Sequence, residues 1–154
     1  MSNETLEQIE KYVAGTGWYV IKVMEGPAGE PAFAYTIGLT ATFGHAELII
    51  LGLDLDDMHL ILNDIAEAIK QGRTYSAGSV IHDVLVEADC LISNVLQEWR
   101  DEYLLLAQSY YGEREFSALQ CLWPDGAGRF PGDPDFDIEL IRSQPLLSRK
   151  PLVN

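Results

Sequence analysis

The sequence predicts an α+β domain: a mainly antiparallel sheet, or a small split β-barrel, with two to three helices packed on it. Three observations carry this. Apolar segments of strand length come in pairs joined by short turns, which argues for antiparallel pairing. Two segments of helical period, 54–72 and 98–112, separate those pairs. The segment 116–136 runs from an apolar alternation into a stretch punctuated by proline and glycine that still carries Trp123, Phe130 and Phe136. Each proline fixes its own φ and biases its predecessor towards extended geometry, so a strand followed by an ordered, packed loop is expected there.

In chain order, Asn3 is placed to cap a short amphipathic helix over residues 3–14, with Leu6, Ile9 and Val13 on one stripe and Gly15 as its stop. Residues 18–24 and 32–37 form a hairpin around the turn 26–31, GPAGEP. A polar loop of small residues, 38–45, leads to a compact apolar strand over 47–52. The clearest helix follows: Asp54 caps it, Asp56 and Asp57 suit the positive end of its dipole, and Gly72 closes it. Its buried stripe is Met58, Ile61, Leu62, Ile65 and Ile69. Residues 80–86 and 90–95 read as two more strands around the turn Glu87, Ala88, Asp89. Residues 98–111 read as one long helix with Trp99, Tyr103, Leu106, Ala107 and Tyr110 on its inner face, ended by Gly112. No repeat, linker or low-complexity segment interrupts residues 1–154, so one domain is expected.

The charge bounds the partners. Ten Lys+Arg against 24 Asp+Glu give a formal charge of −14, which repels phosphate backbones and anionic lipid. Neither nucleic-acid nor membrane binding is expected. The segment 1–13 has no basic n-region or apolar h-region, and the longest strongly apolar run, 48–53, is too short to span a bilayer. A soluble cytoplasmic protein is the expectation. Cys90 and Cys121 are isolated and form no CxxC, so they read as two buried, reduced thiols.

Three stretches could carry chemistry. Tyr35, Thr36, Gly38 and Thr40 lie where a strand ends in hydroxyl and glycine residues, a setting that presents N–H and O–H groups to an anion. The same residues could instead satisfy their own backbone. His45 and Glu47 form an H-x-E triplet like that of zinc deaminases, but the P-C-x-x-C that would complete a zinc site is missing. Another arrangement would add His82, while His59, beside an apolar helix stripe, reads as structural. No metal is assigned. Third, Asp125 after Trp123 could act as a base, and Arg129 could clamp a carboxylate or phosphate. The alternative makes Asp125 a turn residue and pairs Arg129 with an acid such as Asp133 or Asp135. No nucleophilic triad or G-x-S-x-G elbow is present.

Taken together, Gly17-Trp18, the segment FAYTIGL at 33–39, FGH at 43–45 with Glu47-Leu48, ILN at 61–63, Gly72, ALQ at 118–120, WPD at 123–125, GRFP at 128–131 and QPLL at 144–147 resemble a bacterial domain-of-unknown-function family, DUF4262. The resemblance spans about 17–147 and departs at Ala46, where the family pattern has proline. It implies no particular activity. The order of elements and the segment AYTIGLT at 34–40 are also similar to flavin-reductase-type split barrels, in which the corresponding loop helps hold a flavin phosphate. That similarity implies a flavin cofactor and a homodimer; Arg73 and Arg129 are the phosphate partners the chain offers, and the net charge opposes a dianion.

Two function classes therefore stand. In the first, the protein binds a small molecule, flavin or nucleotide-like, through Tyr35, Thr36, Gly38, Thr40, His45, Trp123, Asp125 and Arg129, lining one pocket. In the second it is an acidic interaction module that engages a basic protein and has no active site. Neither reading fixes whether it is an enzyme.

Overall fold

The apolar segments become six strands, described here from a computed structural model covering residues 3–86 and 88–150. They are β1 (Tyr19–Val23), β2 (Phe33–Ile37), β3 (Glu47–Leu51), β4 (Val80–Leu85), β5 (Ala88–Asn94) and β6 (Ala118–Leu122). One sheet contains them all, in the order β1-β2-β3-β6-β5-β4. Every neighbouring pair is antiparallel except β3–β6, which is parallel. The sheet is open, with β1 and β4 as its edges, so of the two expected forms it takes the open sheet and not the barrel. The expected Asn3 cap and the Glu87 turn position lie outside the described residues and side chains.

Among the described residues five α-helices accompany the sheet, in keeping with the expected α+β class: α1 (Asn3–Thr16), α2 (Leu39–Phe43), α3 (Leu55–Lys70), α4 (Gln97–Tyr103) and α5 (Leu105–Tyr111). None is long and apolar enough among the described residues to cross a membrane. Helix α3 follows its sequence signals: Asp54 Oδ1 accepts the N–H groups of Asp56 (3.0 Å) and Asp57 (3.3 Å), and Met58, Ile61, Leu62, Ile65 and Ile69 are all buried. Helix α1 runs past Gly15 to Thr16, because Gly17 (φ 109°) is the residue that adopts the left-handed turn-out.

The expected helix over 98–111 is broken at Leu104, whose φ/ψ of −96°/47° leaves the helical region. The break turns the second segment so that Leu104, Ala107 and Tyr111 face the core. Two side chains satisfy the freed groups: Gln108 Nε2 donates to Arg100 O (2.9 Å), and Leu106 N–H donates to the Tyr35 hydroxyl (3.1 Å). The expected loop 38–45 contains α2, for a reason that lies in the site below.

Two apolar layers result. Helix α3 packs over β1–β4 around Leu48, Ile50, Met58, Leu62 and Ile92. On the other face α1, α5 and Leu147 cover Tyr35, Ile37, Ile49 and Leu51. The central strands β3 and β6 are buried along their whole length. Edge strand β4 breaks register at a bulge where Asp83 has φ 66°, a device that discourages edge-to-edge pairing. Cys90 and Cys121 are both buried and unbridged; hydrogen bonding to Cys90, together with burial, holds the Cys121 thiol well above its usual range.

The chain after β6 is stapled back by glutamines acting as surrogate strand backbone. Gln144 accepts the Trp123 N–H (2.8 Å) and donates to Trp123 O (2.8 Å), while Gln120 bonds Pro145 O (2.8 Å) and Leu147 N–H (2.9 Å). This docks residue 143 against Gly52, which has φ 90° and no room for a side chain. A Cβ there would overlap the Ser143 carbonyl oxygen and lie 3.1 Å from the Trp123 ring. Gly52→Ala should therefore lower the unfolding free energy by about 2 kcal/mol or more, read from urea denaturation, because it combines left-handed strain with a backbone clash.

Candidate functional site

Strand β2 and strand β3 stop pairing at Tyr35 and Ile49, and the chain between them builds a small polar centre. The Leu48 N–H donates to Thr36 Oγ1 (2.9 Å), so a side chain continues the ladder. Gly38 then turns out with φ 117°, where a Cβ would come within 2.7 Å of Gly17 O. It opens the five residues of α2 without any side-chain cap of its own.

The cap comes from Glu47. Its Oε1 accepts Thr36 Oγ1–H (2.8 Å) and the Leu39 N–H (3.2 Å); Oε2 accepts the N–H groups of Gly38 (3.0 Å) and Thr40 (3.2 Å) and the Tyr111 hydroxyl. The remaining N-terminal N–H of α2, on Ala41, donates to that same Tyr111 hydroxyl (3.2 Å). Every free donor of the first helical turn is thus satisfied by a carboxylate and a phenol from elsewhere in the chain. Burial pushes the Glu47 carboxyl above its usual range, against the hydrogen bonds from Tyr111, Thr36, Thr40 and Gly38. Burial, with the adjacent Glu47 charge, also raises the Tyr111 phenol. Burial raises the Tyr35 phenol to about 12 in spite of backbone bonds from Leu106 and Ala107.

At the far end of α2, Gly44 (φ 67°) closes the helix and delivers His45. The ring is fixed on both sides: Tyr75 N–H donates to Nε2 (2.9 Å), which places the proton on Nδ1 and makes it the donor to Ala46 O (2.8 Å). Thr40 Oγ1 donates to His45 O (2.8 Å). His82 is elsewhere, on β4, paired with Asp89 (2.8 Å). Among the described residues no three His, Cys, Asp or Glu side chains are grouped as a metal ion would need.

Trp123, Asp125 and Arg129 form a second centre. The Trp123 indole N–H donates to Leu51 O (2.7 Å). Asp125 organises the loop: its carboxylate accepts the N–H groups of Ala127 (2.9 Å), Arg129 (2.9 Å) and Asp137 (3.0 Å), and Arg129 Nε (3.3 Å). Burial pushes this carboxyl up, but the bonds from Arg129, Asp137 and Ala127 and the Arg129 charge outweigh it and hold it below the usual carboxylate range. The acid that Arg129 meets is therefore Asp125, while Asp133 accepts the Phe130 N–H (2.8 Å).

These two centres do not share a pocket. Glu47 aligns with Ala118 at the start of the parallel pair β3–β6, whereas Trp123 meets Leu51 at its end. Four residues of strand, roughly 13 Å, lie between.

A cleft of about 630 Å³ opens at the Glu47 end. Of the residues expected from sequence, Thr40 and His45 line it; its other walls include Arg100, Asp101, Gln108, Arg114, Glu115 and Phe116. Neither arginine nor Tyr111 was among the site residues expected from the sequence. Arg114, just past Gly112, had one visible signal, since a cation after a helix end complements the helix dipole. It donates Nε–H to Tyr111 O (3.2 Å) and Nη2–H to Tyr110 O (3.2 Å), and lies over the Tyr110 and Tyr111 rings. Arg100 donates to Phe116 O and lies 5.8 Å from the centroid of that ring.

Fold and site together define a three-layer α+β architecture built on an internally capped carboxylate, with a cleft beside it that brings Arg100 and Arg114 together with Asp101 and Glu115. The family profile described as "Domain of unknown function (DUF4262)" matches residues 12–137 of the 154, and the chain belongs to that family. Neither a curated protein nor a solved structure matches it.

Glu47→Ala would leave three backbone N–H groups and two hydroxyls without an acceptor in a buried place. Loss of about 3 kcal/mol or more is expected in denaturant titration. For Asp125 the lowered carboxyl gives a definite pH sign. Its stabilisation is complete above the ordinary carboxylate range, near about 4, and is lost as pH falls through the lowered folded value. Asp125→Asn should therefore melt below the parent protein at neutral pH, with the gap closing in acid, as thermal unfolding across that range will read.

Proposed function

We propose that this domain binds a small anionic molecule in the cleft between the α2–β3 junction and the α4–α5 pair. One observation carries the reading: two guanidinium groups, Arg100 and Arg114, converge on one cleft in a chain of formal charge −14, and among the described residues the two acids that share the cleft, Asp101 and Glu115, are not within ion-pair distance of either. Each of four further clefts is lined by at most one Lys or Arg. Aromatic rings hold both guanidiniums in place, and a guanidinium has five N–H donors. The bonds described above use one from Arg100 and two from Arg114, which leaves donors for a carboxylate or phosphate.

The volume, about 630 Å³, is within the range of small-molecule sites and admits a ligand up to nucleotide size. Phe116 is already stacked on Tyr111 (ring centroids 4.9 Å) and faced by Arg100, so flavin mononucleotide would be met through its phosphate by the guanidiniums rather than by ring stacking. His45 has both ring nitrogens engaged by backbone and acts here as a fixed wall rather than as a base.

The test is a thermal-shift titration with inorganic phosphate, citrate and flavin mononucleotide. At least one should raise the melting temperature by about 2 °C or more at saturating concentration. Arg100→Gln and Arg114→Gln should each cancel the shift, and Arg129→Gln should keep it. Cancellation by Arg129→Gln alone would place the ligand on the loop after β6 and overturn this reading.

A further inference from the structure

Helix α3 leaves part of its apolar surface uncovered at the other end of β3 and β6. Leu60 is 61% exposed, and Val86, at the tip of the β4–β5 hairpin, is 94% exposed. With Leu53, Leu85, Trp123 and Pro124 they line a groove of about 460 Å³. Its rim is acidic. Asp57 and Asp64 line the same groove, one helical turn to either side of Leu60, and both are exposed. An adjoining hollow shares Leu85, Ala88 and Pro124 and adds Asp83 and Asp89. No Lys or Arg lines either one. Among the described residues neither Asp57 nor Asp64 has a Lys or Arg partner within ion-pair distance.

We propose that this groove docks a basic amphipathic segment of another protein, its apolar side chains between α3 and the hairpin tip and its Lys or Arg side chains on the flanking carboxylates. The chemistry selects this occupant among the alternatives. A contiguous apolar floor calls for apolar side chains, as in helix-in-groove recognition. Four carboxylates around it, with a formal charge of −14 behind them, call for positive flanks. A second copy of this chain would bring like charge to like charge, and so would a nucleic acid or an anionic membrane. The proposal is independent of the arginine cleft.

Two fluorescently labelled peptides of about five helical turns test it, one with leucine and lysine in helical period and one with glutamate in place of lysine. Fluorescence anisotropy should show binding of the lysine peptide only. Leu60→Ser should weaken that binding roughly tenfold, as loss of a largely desolvated anchor would. The pair Asp57→Asn with Asp64→Asn should weaken it to a comparable degree. The pair Glu7→Gln with Glu10→Gln, which removes two exposed charges from α1, should change it by no more than about twofold. Equal losses in both charge pairs with no effect of Leu60→Ser would mean general attraction to an acidic protein and overturn the proposal. A dimer in sedimentation that Leu60→Ser dissociates would overturn it in favour of a second copy. Arg100→Gln should leave peptide binding unchanged, which separates this test from that of the anion cleft.

Discussion

A carboxylate with no contact to water holds this molecule's middle together. Glu47 is fully buried, and burying an ion costs several kcal/mol unless its oxygens are met by donors. Five donors meet it, from three separate parts of the chain: Thr36 on β2, the first turn of α2, and Tyr111 on α5. Burial raises the carboxyl in spite of those bonds. What the arrangement fixes is geometry. With Glu47 in place, the chain has one way to leave β2, form a helical turn and return as β3, and α5 has one height at which Tyr111 reaches both Glu47 and Ala41. The cleft takes its shape from that: Thr40, Gly44 and Ala46 on one wall and Arg114, just beyond Tyr111, on the other.

How legible was this in the sequence? The α3 helix was legible throughout, since a side-chain cap, a dipole-matched first turn and an apolar stripe of the right period all agree locally. Strand existence was legible for the same reason, within one or two residues at most ends. Helix α2 was not. Its residues, LTATF, include two β-branched threonines, and Gly38 offers no cap, so nothing local favours a helix. The favourable part is the Glu47 carboxylate, four residues beyond the helix, acting as a cap through tertiary structure. A helix stabilised from outside its own sequence cannot be found by propensity.

The break at Leu104 misled in a related way. A continuous helix over 98–111 points Tyr110 inward, and the actual turn at Leu104 rotates the register so that Tyr111 is buried instead. Missing that one-residue shift removed Tyr111 from the expected site, and with it the reason for Arg114 to be there. The loop after β6 was read more nearly as it is. Proline and glycine promised order, and Asp125 supplies it with four hydrogen bonds, taking Arg129 as its own partner. What sequence could not supply was position, because only strand pairing says which end of the sheet loops 36–40 and 123–129 occupy.

That pairing is the parallel contact of β3 with β6, and it sorts the surface chemistry. In an antiparallel pair the start of one strand lies beside the end of the other, so the loops would mix. Here both strands begin at one end, where Ala46 and Ser117 border the arginine cleft, and both finish at the other, where Leu53 and Trp123 border the acidic groove. From Ser117 to Trp123 is six residue steps along β6, roughly 20 Å. At physiological salt that is more than twice the Debye length of about 8 Å, so in solution the rim carboxylates add little to the field of Asp101 and Glu115, which stand beside the guanidiniums. A chain of formal charge −14 thereby gathers two arginines, beside Asp101 and Glu115, at one end of the parallel pair and a groove with acids and no Lys or Arg at the other.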